Sequence, residues 1–140
     1  STLLASSAAS DVYKRQLRGY LEEGGAATRN CDYEHLSEIC DRFAVRNVEN
    51  PAVVVDCNHS NSDKQYMRQI DNAMEVLGLM KEYPKIKKLV KGLMIESYLE
   101  DGNQPIDGGV YGKSVTDPCL GWEKSKQLIY DINEKLEGLK

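Results

Sequence analysis

The run "AVVVDC", residues 52–57, constrains the fold more than any other stretch of the chain. Its valines occupy successive positions and not alternate ones, so both faces of the strand they form need cover. That is the habit of parallel strands flanked by helices. "KGLMIES", residues 91–97, repeats the pattern and again ends in charge. Helical stretches alternate with these runs. Asp32 is placed to cap a helix whose Leu36, Ile39, Cys40 and Phe43 recur at helical spacing. The sequence "ENP" ends it, because the residue before Pro51 is pushed out of helical geometry. A second helix is expected near Asp63, with Ser60, Asn61 or Ser62 as cap and Met67, Ile70, Met74, Leu77 and Met80 as its buried stripe. In a third, Asp117 stands at the N-cap and Pro118 at the first helical position, ahead of Trp122, Leu128, Ile129, Ile132, Leu136 and Leu139. Upstream, "LRGYLEEGGAATRN" reads as a strand end spilling into a glycine-rich loop.

The order is strand end, helix, strand, helix, strand, helix, so the class is α/β with parallel β/α units. Three such units make a poor free-standing domain, since strands of this kind need neighbours on both edges. A closed (β/α)₈ barrel takes about 250 residues, and 140 residues offer about half of that. The chain reads as the C-terminal part of a larger protein. Residues 1–16, "STLLASSAASDVYKRQ", have no helical or strand period and resemble translated adapter sequence. They are expected to be disordered and to pack against nothing, leaving residues 17–140 as the folded unit.

With 18 basic and 22 acidic residues the net charge is −4, which offers no electrostatic surface for nucleic acid or membrane. No apolar run approaches the ~20 residues of a membrane helix. Four separated cysteines, with no C-x-x-C pair, fit a reducing, cytoplasmic setting.

In parallel β/α proteins the chemistry lies at the carboxyl ends of the strands. That rule selects Arg18, the cluster Asp56, Cys57, Asn58 and His59, then Glu96, and finally Asp117. One imidazole and two carboxylates on one rim suit a divalent Mn, Fe, Co or Zn ion better than Ca or Mg. Arg18, beside glycine, suits a phosphate or carboxylate anion. Each residue also has an ordinary reading: His59 as a hydrogen-bonded loop residue, Glu96 paired with a lysine, Asp117 as a helix cap. Cys57 and Cys119 read as small buried side chains, the lysines of "KEYPKIKKLVK" as a solvated face, and the methionines as core.

Three segments, "DCNHSNSDKQ", "GLMIESYLEDGNQ" and "YGKSVTDPCLGWE", together with "LRG" at residues 17–19, resemble signature segments of the class I 3-deoxy-D-arabino-heptulosonate 7-phosphate (DAHP) synthases. The similarity runs from Leu17 to the C-terminus in family order. It implies the C-terminal part, about three β/α units, of a (β/α)₈ TIM barrel. The implied reaction condenses phosphoenolpyruvate with erythrose 4-phosphate and releases phosphate, the first step of the shikimate pathway toward chorismate and the aromatic amino acids. By the same resemblance His59, Glu96 and Asp117 are three of four metal ligands, and Arg18 holds the phosphate of phosphoenolpyruvate. His59 and Asp117 also handle protons, and the full-length enzyme is a homo-oligomer. The fourth ligand, a cysteine, has no counterpart here, nor has the lysine–proline–arginine–threonine stretch that grips erythrose 4-phosphate. Tyr20 stands where a second glycine is usual, and Pro118, Asn58, Ser97 and Tyr98 also depart from the commonest residues. The fragment alone is expected to be inactive. The alternative is a β/α chain that binds a metal or an anion without catalysis. A related 3-deoxy-octulosonate 8-phosphate synthase is disfavoured by "SVTDPCLGW".

Overall fold

The computed structural model describes residues 16–139. In chain order the elements are β1 (Gln16–Leu17), β2 (Tyr20–Leu21), β3 (Ala27–Thr28), α1 (Tyr33–Val45), β4 (Val53–Asp56), α2 (His59–Ser62), α3 (Arg68–Glu82), α4 (Pro84–Leu89), β5 (Val90–Met94) and α5 (Trp122–Glu137). Three of the strands form one parallel sheet in the order β1-β4-β5, with Leu17 opposite Val55 and Val55 opposite Leu93. The α/β class with a parallel sheet is therefore as the sequence implies. The expectation for residues 1–15 lies outside the described residues. Gln16, placed in the same unstructured segment by sequence, is instead a strand residue paired with Val54. The glycine-rich stretch after β1 is a small antiparallel hairpin, β2 with β3.

Helix α1 begins as its cap requires. The Asp32 carboxylate accepts the His35 backbone N–H at 3.0 Å and the His35 ring at 2.9 Å. Leu36 and Ile39 are buried, with Cys40 and Phe43 packed beside them against the sheet. Burial pushes the Asp32 carboxyl up, but the bonds from His35 outweigh it and hold the group below the ordinary carboxylate range. A depressed folded-state value stabilises the fold fully above the unfolded value of about 3.9, and the contribution is lost as pH falls through the folded value. Asp32→Ala should cost about 1 kcal/mol at neutral pH and correspondingly less in acid, once pH has fallen through the folded value. Equal losses at both pH values in urea titrations would show that the carboxylate is not what holds the helix start.

Strand β4 meets its sequence pattern on one face only. Val53 and Val55 are buried, whereas Val54 is 39% exposed. Helix α3 also departs from expectation. Its buried residues are Gln69, Asn72, Ala73, Val76 and Leu77, while Met67 is exposed and Ile70, Met74 and Met80 are only partly covered. The shift has a polar cause. Asn72 donates to the carbonyls of Cys57 and Asn61, both at 2.9 Å, and Gln69 takes both backbone groups of Glu96, N–H at 2.7 Å and C=O at 3.1 Å. A hydrophobic stripe cannot reveal a helix that docks on strand ends through amides. Helix α4, in the lysine-rich stretch, starts on Pro84 and buries Ile86 and Leu89 while its lysines stay in solvent.

The last helix begins at Trp122, with Gly121 as its cap, so neither Asp117 nor Pro118 starts it. The reason is that Cys119 and Leu120 stay extended, bridging to Gly102 and Ser97. Of its apolar residues Leu128 is buried, whereas Trp122, Ile129 and Leu136 are exposed. No helix is long and apolar enough to cross a membrane among the described residues.

Candidate metal centre

Strand β4 delivers Asp56 to the end of the sheet with its carboxylate fully buried. A buried carboxylate needs donors, and three converge on it. These are the Gln16 amide at 2.7 Å, the Asn58 backbone N–H at 2.9 Å and His59 Nδ1 at 2.6 Å. Because Asp56 accepts from Nδ1, a neutral His59 ring carries its proton there and turns a lone pair outward at Nε2. That nitrogen lies 3.3 Å from Glu96 Oε1 and 3.6 Å from Asp117 Oδ2.

The three donor atoms of His59, Glu96 and Asp117 all lie within 4.8 Å of one another, on half-buried side chains. Three acceptors facing one another repel unless a positive charge sits among them. The set of one imidazole nitrogen and two carboxylate oxygens, with the imidazole backed by a second carboxylate, fits a divalent transition metal.

Each donor comes from a different piece of chain. His59 opens α2 with a positive φ of 45°, and Asp63 and Lys64, which close that turn, have φ of 52° and 56°. Glu96 follows β5, pinned by the Gln69 amide. Asp117 sits in the loop before α5, where Leu120 N–H donates to Glu96 O at 3.0 Å and Tyr98 N–H to Leu120 O at 2.8 Å. Lys64 approaches Asp117 at 3.3 Å but is largely exposed, so the pair is worth little.

Arg18 is not part of this cluster. It is exposed, on the segment after β1, and its side chain has no hydrogen bond or ion pair among the described residues. Gly19 beside it makes the close approach. Its φ is +73°, and a Cβ there would come within 2.7 to 2.8 Å of Thr28 O, Asn61 N and Ser60 C. The Gly19 N–H donates to Asn30 Oδ1 at 2.9 Å, and Asn61 in turn joins Asn30 N–H, Leu17 O and Asp56 O. One glycine suffices at this approach, and Tyr20 turns away into β2.

Sequence reasoning selected Asp56 and Asn58 with the strand-end cluster but gave them no role, and it passed over the part that Asn61, Gln69 and Asn72 play in holding the site together. The usable signal was Asp56 itself, an acid inside a valine run three residues before a histidine. Cys57 is fully buried, and burial pushes its thiol far up. Cys119 is buried as well. Neither belongs to the donor cluster.

Comparison with known proteins gives a consistent picture. The DAHP synthetase I family matches residues 16–129. A Trp-sensitive phospho-2-dehydro-3-deoxyheptonate aldolase from Enterobacter agglomerans is 48% identical over 80 residues, 55% of this chain and 22% of the relative. The Tyr-sensitive enzyme of the same organism is 34% identical over 125 residues, 86% of this chain and 57% of the relative. Among solved structures, that of phospho-2-dehydro-3-deoxyheptonate aldolase from Francisella tularensis SCHU S4 aligns with a TM-score of 0.76 at 29% identity, over 89% of this chain and 34% of that one. The chain thus spans less than two thirds of the length of each of these relatives, from 22% to 57%. With the match running from β1 into α5, the chain belongs to the DAHP synthetase I family.

Proposed function

We propose that the chain is the metal-holding part of a synthase that joins phosphoenolpyruvate to erythrose 4-phosphate, and that its parallel sheet is one section of a (β/α)₈ barrel. The observation that carries this reading is the meeting of His59, Glu96 and Asp117 at the carboxyl end of that sheet. Family membership supplies the reaction. Carbon 3 of phosphoenolpyruvate bonds to the aldehyde carbon, water adds at carbon 2, and phosphate departs. These three side chains hold the divalent ion, which when bound supplies Lewis acidity to the aldehyde. Asp56 fixes the His59 ring so that Nε2 faces the site. Arg18, exposed on the same end of the sheet, receives the phosphate of phosphoenolpyruvate. His59 and Asp117 are the groups available to carry protons at the rim. In this reading the intact enzyme is cytoplasmic and homo-oligomeric.

The chain alone should bind Mn²⁺ in equilibrium dialysis but release no phosphate from the two substrates above a His59→Ala control. Orientation of two reactants supplies about 7–11 kcal/mol of such barriers, and one exposed arginine cannot provide it. Absence of saturable Mn²⁺ binding would count against the metal reading. Phosphate release by the wild type alone would show that these residues already form a complete active site.

A further inference from the structure

We propose that Asn58 is the positioning residue that presets the metal centre, and that it does so by occupying one oxygen of Glu96. This inference rests on the reading of His59, Glu96 and Asp117 as metal ligands. Asn58 is fully buried and touches every piece of chain that contributes a donor. Its Nδ2 donates to Glu96 Oε2 at 2.6 Å and to Pro118 O, the carbonyl next to Asp117, at 3.2 Å. Its Oδ1 accepts from the Ser62 hydroxyl at 2.7 Å, and its backbone N–H donates to Asp56, the carboxylate that holds His59.

The orientation of the amide follows from its partners. Glu96 and Pro118 present only acceptors, so the NH₂ side must face them and the carbonyl side must face Ser62. One amide thereby fixes the spacing between the loop after β4, the end of β5 and the loop before α5. It also sets how Glu96 can bind. With Oε2 engaged by Asn58, Oε1 alone is turned to His59 Nε2. Glu96 would therefore meet an ion through one oxygen, beside the single donor atoms that His59 and Asp117 offer to the cluster. A residue too short to reach Glu96, such as serine, would free the second oxygen and release the Pro118 loop.

The test is Co²⁺ titration of the whole chain, wild type against Asn58→Ser and Ser62→Ala, followed by visible absorption and paired with thermal unfolding without metal. Asn58→Ser should weaken Co²⁺ binding by about tenfold or more, the scale of a lost outer partner, and should change the shape of the visible band as Glu96 alters its mode. Ser62→Ala, which leaves Glu96 and Pro118 untouched, should move affinity and band in the same direction by less. A purely structural role would lower the unfolding midpoint and leave the band of the folded protein as in wild type. That outcome, or wild-type affinity in Asn58→Ser, overturns the proposal. Should Asn58→Ser not fold, an unchanged band in Ser62→Ala does so. A wild-type chain that binds no Co²⁺ overturns the metal reading itself and this inference with it.

Discussion

His59→Ala should abolish measurable Mn²⁺ or Co²⁺ binding, with affinity falling by at least about 100-fold, beyond what losing an outer partner costs. The imidazole is the nitrogen donor of the cluster, and it alone faces both carboxylates. Without it two acidic side chains remain, and acidic pairs on a protein surface hold transition metals weakly. Asp56→Asn separates holding from orienting. It keeps the size of the side chain but weakens the acceptor for His59 Nδ1, so the loss should be smaller, about 10- to 100-fold. Binding in His59→Ala within threefold of wild type, by calorimetry at the same pH, would remove His59 from the site.

Gly19→Ala should be the most destabilising single methyl in the described chain. A left-handed backbone costs an L-residue about 1–2 kcal/mol. The added carbon would also meet three backbone atoms at 2.7 to 2.8 Å, none of which can rotate away. A total loss of about 3 kcal/mol or more follows, or roughly 10 °C in a chain of this size. Gly25 is the internal control, with φ at +80° but nothing within 4 Å of a Cβ. Gly25→Ala should therefore lose only about 1 kcal/mol. Equal unfolding midpoints for the two variants would show that the hairpin moves aside.

Much of this architecture is legible in the residues. The valine run, the Asp32 cap and the alternation of elements depend on local chemistry, and the structure places α1, β4 and β5 close to where those signals put them. His59, Glu96 and Asp117 were selected by the end of strand they follow, and they converge. The misreadings share one cause, which is that long-range pairing overrides local signals. Asp117 and Pro118 have the chemistry of a helix start, yet Cys119 and Leu120 are held extended by Gly102 and Ser97, so the helix waits for Trp122. The methionine stripe of α3 has helical spacing, but Gln69 and Asn72 turn inward because strand-end carbonyls and the Glu96 backbone need partners. Buried amides look like surface residues until their partners are known. The bonds that Asn58, Asn61 and Asn72 make were invisible for that reason, although Asn58 stands in the cluster that the strand end singled out.

The turn that begins with His59 sets function against durability. Three residues that are not glycine, His59, Asp63 and Lys64, lie at positive φ within six positions, each at a cost of order 1 kcal/mol. At Asp63 glycine would relieve the strain without touching the donor set, and Asp63→Gly should raise the thermal midpoint by a few degrees. An unchanged or lower midpoint would mean that the aspartate compensates its own strain. At His59 the same exchange would also relieve strain, but it would remove the nitrogen that defines the centre. With His59 as the proposed metal ligand, selection for a tougher protein and selection for a working one pull this position in opposite directions. Stabilising substitutions are to be sought around the turn and not at its head, and the folding free energy spent there is the tax levied by the site.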